Sequence, residues 1–436
     1  MTISSFSEFG LADPILRALN ARNHITPTPI QAKAIPAILD GDDLLGIAQT
    51  GTGKTAAFAL PILHELNFEP ARGKYRDPRA LILAPTRELA IQIGDEFHAY
   101  GKDLSIRQAV IFGGVSQHGQ VQKLRRGVDI IVATPGRLLD LMEQGHVNLD
   151  EVEFLVLDEA DRMLDMGFIR DVRKIVAKMP KDRQTQLFSA TMPPEIAKLA
   201  KEILFEPVRI DIAPKTVAVE VIRQEIHFIE PNDKLDALCD LFADKSMSRV
   251  VVFTRTKHRA NKVAERLEKA GVLADAMHGN KSQGARQRAL EAFRSGKIRA
   301  LVATDIAARG IDVPEVTHVV NFEMPVDAES YVHRIGRTAR AGAEGTAITM
   351  CATEEAGLLL DIEKLIGRKI EVASGTRPAG NARPKQGGGQ GGRQGGRGGN
   401  RNPKQAHGQG QGSSGKPGRH KRRRSRRRGP DLRRAA

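Results

Sequence analysis

Short apolar runs, each followed by a loop and an amphipathic stretch, recur through the first 207 residues and again after a break. Strands that alternate with helices in this way predict parallel sheets whose crossover helices cover both faces. The first series of runs spans residues 43–48, 80–84, 129–133, 154–157 and 185–188, and the second spans 249–253, 274–277, 299–303, 318–321 and 346–350. The sequence therefore predicts an α/β fold with two tandem parallel-sheet domains.

A segment rich in Val, Ile and Pro separates the two series, and the apolar runs no longer recur beyond about residue 371. These breaks predict a first domain over residues 1–207, a linker over 208–220, a second domain over 221–370 and a tail over 371–436. A chain of 436 residues with 40% hydrophobic residues can supply a core to each of two such domains.

The positive charge of the chain is concentrated in the tail. Residues 376–436 hold 18 Lys and Arg and one acidic residue, so of the net charge of +15 they carry +17 and residues 1–375 carry −2. The tail is Gly/Gln/Arg-rich and contains no Phe, Tyr, Trp, Val or Ile after Val372. Such a segment cannot bury enough apolar surface to offset its ordering entropy, so we expect it to be disordered and to attract polyanions without sequence preference.

Cysteine usage and hydropathy exclude several other classes of protein. Cys239 and Cys351 lie far apart and predict neither a disulfide framework nor a zinc site. The N-terminus has no basic, apolar leader, and no apolar run approaches the roughly 20 residues needed to span a bilayer. We therefore expect a cytoplasmic protein that makes no membrane contact.

A phosphate-binding loop is predicted between the first run and the helix that follows it. The loop consists of Ala48, Gln49, Thr50, Gly51, Thr52, Gly53, Lys54 and Thr55. Gly51 and Gly53 allow backbone N–H groups to approach phosphates, Lys54 reaches the β and γ oxygens, and Thr55 offers its hydroxyl to Mg²⁺. Ala48 stands where the general pattern has its first glycine. Taken alone, the same string also fits an ordinary helix start.

Two adjacent carboxylates follow the apolar run Phe154–Leu157. Ligands bind at the carboxyl edge of such sheets, where Asp158 is suited to hold Mg²⁺ through water and Glu159 to orient or deprotonate the attacking water. The alternative is that Asp158 and Asp161 only cap the next helix. Helix capping does not explain why this pair and the phosphate loop occur at the same sheet edge.

Gln31 is the candidate for recognition of the nucleotide base. Its amide can accept a hydrogen bond from adenine N6 and donate one to N7, whereas guanine presents acceptors at both positions. Gln31 would therefore select ATP over GTP. A solvated glutamine at a helix start is the alternative for this residue taken singly.

These motifs resemble the DEAD-box RNA helicases, whose tetrapeptide stands at Asp158 to Asp161, and the resemblance runs in order from Phe6 to about Arg340. It implies two RecA-like domains, ATP and Mg²⁺ as cofactors and ATP-dependent remodelling of RNA. Motif details and the Gly/Arg-rich extension are most similar to the bacterial RhlE-type branch. The family usually has Gly-Phe or Gly-Tyr where this chain has Asn23-His24, so His24 would stack on adenine, with Phe6 as the isolated upstream aromatic.

The resemblance also implies the contacts with RNA. The positions that match the family's contacts to the sugar-phosphate backbone are Thr86, Arg87, Gly114, Thr134 and Arg137 in the first domain and Arg286, Thr304 and Gly310 in the second. Their chemistry suits this role, because arginines fork onto phosphates and glycines permit close approach. Taken singly, each also fits ordinary turn chemistry with a solvated arginine.

The second domain is expected to complete the ATP site, since no second phosphate loop follows residue 220. Asp305 matches a residue on the ribose side of the cleft, and Arg337 and Arg340 match arginines that touch the γ-phosphate; three residues apart, they share a helix face. Ala339 stands where the family commonly has glycine. The residues that the resemblance assigns to coupling hydrolysis with strand separation are Asp161, Ser189, Thr191 and His333.

Several alternatives stay open. The tail can act as an RNA tether, as a nuclear-import patch or as an inert solvated segment. A DNA helicase or translocase of the same superfamily is a second enzyme hypothesis, and a non-catalytic RNA clamp is the alternative from another class. RNA is the expected partner, with ribosomal or RNA-decay proteins as further candidate partners.

Overall fold

The computed structural model describes residues 4–49, 51–68, 77–212, 222–308, 313, 315–339 and 344–378. Its first parallel sheet has the strand order β3-β4-β2-β5-β6-β1-β7. The strands are β1 (Leu44–Ile47), β2 (Ala80–Leu83), β3 (Gln108–Ile111), β4 (Ile130–Ala133), β5 (Phe154–Leu157), β6 (Gln184–Ser189) and β7 (Val208–Asp211).

The second parallel sheet has the strand order β10-β11-β9-β12-β13-β8-β14. Its strands are β8 (Ile222–Phe228), β9 (Val250–Thr254), β10 (Ala274–Met277), β11 (Ala300–Thr304), β12 (His318–Asn321), β13 (Gly345–Cys351) and β14 (Glu371–Ser374). Two parallel sheets in tandem confirm the predicted fold class.

Helices connect the strands of both sheets, as parallel pairing requires. Those of the first domain are α1 (Asp13–Ala21), α2 (Pro29–Leu39), α3 (Lys54–Phe68), α4 (Arg87–Tyr100), α5 (His118–Arg125), α6 (Pro135–Glu143), α7 (Ala160–Asp165), α8 (Ile169–Val176) and α9 (Pro194–Ile203). Those of the second are α10 (Lys234–Leu241), α11 (Lys257–Lys269), α12 (Gln283–Arg294), α13 (Asp305–Ala308), α14 (Ala328–Ile335) and α15 (Ala356–Ile366). Two 3₁₀-helices span Phe6–Phe9 and Thr353–Glu355.

The central strands are buried on both faces because alternate side chains enter two separate cores. In β5, Val156 packs into the core on one face of the first sheet, whereas Leu155 and Leu157 pack into the core on the other. In β9, Val252 and Phe253 enter opposite cores of the second sheet in the same way. Burial on both faces explains why these strands appear in the sequence as uninterrupted apolar runs.

One edge strand of each sheet extends beyond the predicted domain boundary. Strand β7 pairs with β1, so the first sheet includes residues 208–211 of the predicted linker. Strand β14 pairs with β8, so the second sheet includes residues 371–374 of the predicted tail. In both cases the backbone hydrogen bonds of a sheet edge continue past the last apolar run. Residues 213–221, and the tail from residue 379, lie outside the described residues.

Among the described residues, no helix is long and apolar enough to cross a membrane. Cys239 and Cys351 are both free thiols, and Cys351 is buried.

Candidate functional site

The predicted phosphate loop connects β1 to the first turn of α3, at the carboxyl edge of the first sheet. Gly51 and Gly53 have φ values of 88° and 90°, which lie in the left-handed region that favours glycine. A Cβ on Gly53 would clash with Nε2 of Gln31, so this position also excludes a side chain sterically. Ala48 is buried and Thr50 lies outside the described residues.

The loop is fastened to the start of α2 by side-chain hydrogen bonds. Nε2 of Gln31 donates to the Gly53 carbonyl at 3.0 Å, and Oε1 of Gln31 accepts from the Thr28 backbone N–H at 2.8 Å. The Thr28 hydroxyl donates to the Thr52 carbonyl, and the Thr52 hydroxyl donates to the Gln49 carbonyl, each at 2.8 Å. An amide has two N–H donors and two lone pairs, so these bonds leave Gln31 one donor and one acceptor for an adenine edge.

Lys54 and Asp158 form a buried pair of charges beneath the loop. Their side chains are 5% and 3% exposed, and Nζ lies 3.8 Å from Oδ1. Within the described part of the chain, neither of these two atoms has a hydrogen-bond partner. Buried polar atoms are almost always satisfied, so this pair fits a site for an anionic group and a cation. Burial raises the pKa of Asp158 to about 6, although Lys54 acts in the opposite direction.

The residues at this position fit Mg²⁺ bound together with phosphates. Mg²⁺ usually binds through one or two carboxylates plus substrate phosphates and water. Asp158 would provide the carboxylate and Thr55 the hydroxyl, and both residues line the cavity described below. No cluster of three or more His, Cys, Asp or Glu suited to a metal occurs among the described residues, so a cage made by protein ligands alone is not found there.

The raised pKa of Asp158 gives a pH-dependent prediction for the ligand-free protein. The folded carboxyl keeps its proton up to about pH 6, whereas an ordinary aspartate has a pKa of 3.8, so wild-type stability falls as the pH rises between these values. The amide of the Asp158→Asn variant cannot ionise. The free energy of unfolding of the variant minus that of wild type should therefore increase by roughly 3 kcal/mol as the pH rises from about 4 to 8, at 1.4 kcal/mol per pKa unit.

The measurement is urea unfolding of wild type and variant at several pH values in this range, without nucleotide or Mg²⁺. The free energy of unfolding is taken from the first unfolding transition. A difference between variant and wild type that stays constant with pH would contradict the buried, proton-binding carboxyl.

Glu159 and Asp161 occupy different environments although both belong to the same tetrapeptide. Glu159 is 3% exposed and has a φ of 55°, a left-handed conformation at the start of α7. Oδ2 of Asp161 accepts hydrogen bonds from the Thr191 N–H at 2.9 Å and from the Thr191 hydroxyl at 3.0 Å. The Ser189 hydroxyl accepts from the Asp161 N–H at 3.2 Å and donates to the Thr191 carbonyl at 2.7 Å. Asp161 therefore joins α7 to the end of β6.

A cavity of about 870 Å³ contains the phosphate loop and the predicted base-binding residues. Of the predicted ATP-site residues, those that line it are Phe6, His24, Gln31, Gly51, Gly53, Lys54, Thr55, Asp158 and Glu159. The His24 ring lies beside Tyr100, with 6.1 Å between ring centroids. Burial, followed by the nearby Arg22, lowers the pKa of His24, which favours the neutral imidazole. A neutral ring next to an aromatic is a suitable surface for a purine.

Asp305 and Arg337 lie outside this cavity, in a smaller one that faces the first domain. Arg334 donates to both carboxylate oxygens of Asp305, from Nε at 2.6 Å and from Nη2 at 2.8 Å. Arg337 is 7% exposed, and its Nε donates to the His333 carbonyl at 3.2 Å. Another cavity, of about 40 Å³, brings Arg337 and His333 together with Glu159 of the first domain. The helix before Arg337, α14, ends at Ile335, so Arg337 lies in a turn and not on a helix face, contrary to expectation. Arg340 lies outside the described residues.

The predicted RNA contacts of the first domain lie after β2, β3 and β4. Thr86 is buried and caps α4 by accepting from the Leu89 N–H at 3.2 Å, and Thr134 is buried at the start of α6. The Arg137 guanidinium lies 3.4 Å from the Val115 carbonyl. Arg87 and Arg137 lie near enough for their charges to interact, whereas the Thr86 hydroxyl is used within its own helix.

Gly114 makes room for Arg87. A Cβ on Gly114 would clash with the guanidinium of Arg87, and the glycine has a φ of 76°. We expect Gly114→Ala to displace Arg87 and to weaken RNA binding about tenfold, the value of one lost charged phosphate contact, with little change in ATP turnover without RNA.

Gly145→Ala is the matched control for Gly114→Ala. Gly145 has a similar φ of 72°, but a Cβ there would meet no atom within 4 Å. Both variants carry a similar backbone strain, so only the Gly114 variant should lose affinity for a fluorescent single-stranded RNA. Equal losses in both would show that the space for Arg87 is unimportant.

A contact between the two domains links two of the predicted RNA motifs. Glu88, at the start of α4, accepts a hydrogen bond from Gln283 Nε2 and lies 2.9 Å from Nη2 of Arg286, both on α12. The side chains of Glu88 and Arg286 are 4% and 11% exposed. Burial, followed by Arg286, lowers the pKa of Arg87, with a smaller effect in the same direction from Arg137. Positive charges from both domains thus converge on one surface.

Thr304 is partly buried at the end of β11, and Gly310 lies outside the described residues. Sequence reasoning did not identify Thr28, Glu88, Arg162 and Arg334 as site residues. Glu88 and Arg334 lie inside motifs that it did use. Their charge, next to a residue already assigned to the site, could have identified them.

The comparisons with known proteins agree with this geometry. The chain matches the DEAD/DEAH box helicase family over residues 28–199 and the helicase conserved C-terminal domain over residues 233–342. It is 43% identical over 369 residues to the ATP-dependent RNA helicase CshA of Listeria monocytogenes, covering 85% of this chain and 70% of that protein. The chain is a DEAD-box ATP-dependent RNA helicase. CshA of Bacillus subtilis is also 43% identical, over 371 residues that cover 85% of this helicase and 74% of the relative.

Solved structures of other helicases share the fold of this one. S. cerevisiae Dbp5 bound to RNA and ADP BeF3 has a TM-score of 0.75 and 32% identity, covering 85% of this helicase and 95% of that chain. Mss116p bound to ssRNA and AMP-PNP has a TM-score of 0.77 and 29% identity, covering 86% of this helicase and 80% of that chain. The two sheets of this helicase thus form two RecA-like domains, as predicted.

Proposed function

We propose that this helicase binds single-stranded RNA across both domains, hydrolyses ATP in the cleft between them and locally unwinds or remodels RNA or RNA–protein complexes. The observation that carries the proposal is the buried pair Lys54 and Asp158, whose facing polar atoms have no hydrogen-bond partner within the described residues. A protein that only clamps RNA has no need for such a costly arrangement. Structures of Dbp5 and Mss116p with RNA and nucleotide analogues support the same use of the fold.

The proposed roles at the phosphate end of the ATP site follow from the chemistry of each group. Lys54 neutralises the β and γ phosphates. Thr55 and Asp158 hold Mg²⁺, which would stabilise charge on the phosphates when bound. Glu159 orients the attacking water.

The second domain is proposed to complete this site. Arg337, with Arg340 in the same role, supplies positive charge to the γ-phosphate, and Asp305 lies on the ribose side. The cavity that Arg337 shares with Glu159 supports this assignment, because it places a cation of the second domain next to the water-orienting carboxylate of the first.

Selection of the base is assigned to Gln31, supported by Phe6 and His24. Gln31 is held at its Oε1 and Nε2 by Thr28 and Gly53, so its remaining donor and acceptor point in fixed directions. A fixed amide discriminates better than a mobile one, because its oxygen and nitrogen cannot exchange places to suit the edge of a different base. The loop residues Ala48, Gln49, Thr50 and Thr52 shape the phosphate site through their backbone.

The proposed RNA contacts are made to the sugar-phosphate backbone, so binding would not depend on sequence. They are assigned to Thr86, Arg87, Gly114, Thr134, Arg137, Arg286, Thr304 and Gly310. The convergence of Arg87, Arg137 and Arg286 supports this assignment.

ATP and RNA each contact both domains in this proposal, so each favours the closed arrangement and their affinities are coupled. The coupling residues are Asp161, Ser189, Thr191 and His333. The hydrogen bonds of Asp161 to Ser189 and Thr191 support such a role, because they connect α7 to the end of β6. Hydrolysis would reopen the cleft and release RNA.

Residues 379–436 are proposed to tether RNA and so raise its local concentration. Their net positive charge supports this role. Deletion of this tail should weaken RNA binding and reduce its salt dependence while leaving ATP turnover at saturating RNA unchanged. An unchanged salt dependence would remove the tether role.

Four finer assignments remain proposals. We assign ATP binding to the first RecA-like domain and the completing arginines to the second. Membership of the RhlE-type branch rests on motif details and the Gly/Arg-rich extension, whereas the relatives reported above are CshA proteins. A cytoplasmic location is supported by two free thiols. Ribosomal or RNA-decay proteins are proposed partners.

Steady-state ATP hydrolysis with and without single-stranded RNA tests the proposed function. Strong stimulation by RNA, with weak stimulation by single-stranded DNA, is the expected result. Equal stimulation by DNA would favour a DNA translocase, and background turnover under all conditions with intact RNA binding would favour the RNA clamp.

A further inference from the structure

Arg162, the residue immediately after the DEAD tetrapeptide, is a buried cation at the boundary between the domains. It is 5% exposed, and its guanidinium Nη1 donates to Oε2 of Glu159. The two residues are three apart, at the start and in the first turn of α7, so they share one face of this short helix. A buried charge needs a charged or hydrogen-bonded partner, and each of these residues provides one for the other.

The same residue is tied to the coupling network. The backbone N–H of Arg162 donates to Oδ1 of Asp161 at 3.0 Å, while Oδ2 of Asp161 holds Thr191. The position of the Arg162 backbone is therefore set by the contact between α7 and the end of β6.

Arg162 also faces the second domain. It lines one small cavity together with Asp305, Arg334 and Arg337, and another together with His333 and Arg337. Arg334 is neutralised by its bidentate contact with Asp305. The positive charge of Arg162 therefore faces a neutral pair on one side, and it shares the second cavity with Glu159 and Arg337.

We propose that Arg162 is a positioning residue for hydrolysis: its guanidinium fixes the Glu159 carboxylate in place and ties that placement to the approach of the second domain. The inference rests on the proposed role of Glu159 in orienting the attacking water. The Glu159 backbone has a left-handed conformation that the surrounding structure must hold, and its buried carboxylate accepts a hydrogen bond from Arg162. Loss of the guanidinium removes a buried contact that holds the carboxylate, and a misplaced water-orienting group slows the chemical step rather than ATP binding.

The test is steady-state ATP hydrolysis at saturating single-stranded RNA by Arg162→Gln and Arg162→Lys. We expect kcat of Arg162→Gln to fall about 10- to 100-fold with little change in KM for ATP, and Arg162→Lys to recover part of the loss. The matched control is Arg170→Gln, a change of the same type at an exposed residue of α8, which should keep wild-type kcat and KM. Wild-type kcat in Arg162→Gln, or a rise in KM with unchanged kcat, would overturn the proposal.

A double variant separates positioning from a general structural role. In a Glu159→Gln background, Arg162→Gln should reduce the residual single-turnover rate by less than about twofold, because the carboxylate that it positions is already gone. Independent, multiplying effects would show that Arg162 acts elsewhere. If Arg162→Gln does not fold, as judged by thermal unfolding, the same cycle is run with Arg162→Lys, which keeps the charge.

Failure of this inference can be told apart from failure of the proposed function. If Glu159→Gln itself retains wild-type turnover, the proposed role of Glu159 is wrong, and so is the inference that rests on it. If Glu159→Gln loses turnover but Arg162→Gln does not, only the role of Arg162 fails.

Discussion

Replacing Glu159 by Gln is expected to reduce RNA-stimulated ATP turnover by a factor of about 10² to 10⁴, the usual contribution of a positioned acid or base. Glu159 is 3% exposed and follows Asp158, whose Oδ1, like the facing Nζ of Lys54, has no hydrogen-bond partner among the described residues. The amide keeps the size of the side chain but loses the negative charge that orients water. ATP and RNA should still bind, because Lys54, Gln31 and the arginines of the RNA surface are unchanged.

The measurement is steady-state phosphate release at saturating RNA, together with binding of a fluorescent ATP analogue. Glu143→Gln, the same chemical change at an exposed residue at the end of α6, serves as control and should behave as wild type. Turnover of the Glu159 variant within twofold of wild type would show that another group orients the water.

The second large effect is expected for Glu88→Lys at the contact between the domains. Glu88 accepts from Gln283 and pairs with Arg286, and a lysine there would face Arg286 and Arg87 as a buried like charge. Because this contact forms only when α4 and α12 meet, its loss should uncouple ATP binding from RNA binding. We expect the gain in RNA affinity caused by a non-hydrolysable ATP analogue to fall at least about tenfold, within the usual range of coupling.

RNA affinity with and without the analogue gives the coupling directly. Asp103→Lys, an exposed site just beyond α4, controls for the change in net charge. The charge-swapped pair Glu88→Lys with Arg286→Glu should recover part of the coupling. Coupling that survives in Glu88→Lys alone would mean that the domains communicate without this contact.

All but one of the strands that the sequence predicted lie in the interior of their sheets. Strands β5 and β12, at the two sheet centres, have the predicted bounds, and the exception, β10, is an edge strand that is still largely buried. The strands that were not predicted are β3, β7, β8 and β14. Three of these are sheet edges, and their side chains alternate between core and solvent or are fully exposed, so they carry no apolar run.

The part of the site that could be predicted is the set of motifs that the strand order brings to one sheet edge. The phosphate loop and the Asp158–Glu159 pair meet there because β1 and β5 both pair with β6. Contacts between distant residues were not predictable. Arg334 pairs with Asp305 and Gln283 with Glu88, across 29 and 195 residues, and no local pattern specifies which charged residue will meet which. Such pairs are set by packing between elements that only the folded chain brings together.

The identical strand order of the two sheets gives the second domain its own counterpart of the phosphate loop. Strand β8 occupies the place of β1, and the helix after it, α10, also begins with a buried lysine, Lys234. Here the ammonium donates to Glu355 at 2.7 Å and to the Met350 carbonyl at 2.8 Å, whereas Lys54 has no such bonds among the described residues. The second sheet thus has a lysine at the corresponding place, but two of its three N–H donors are already used by a carboxylate and a carbonyl of its own domain, which leaves it poorly placed to bind a phosphate.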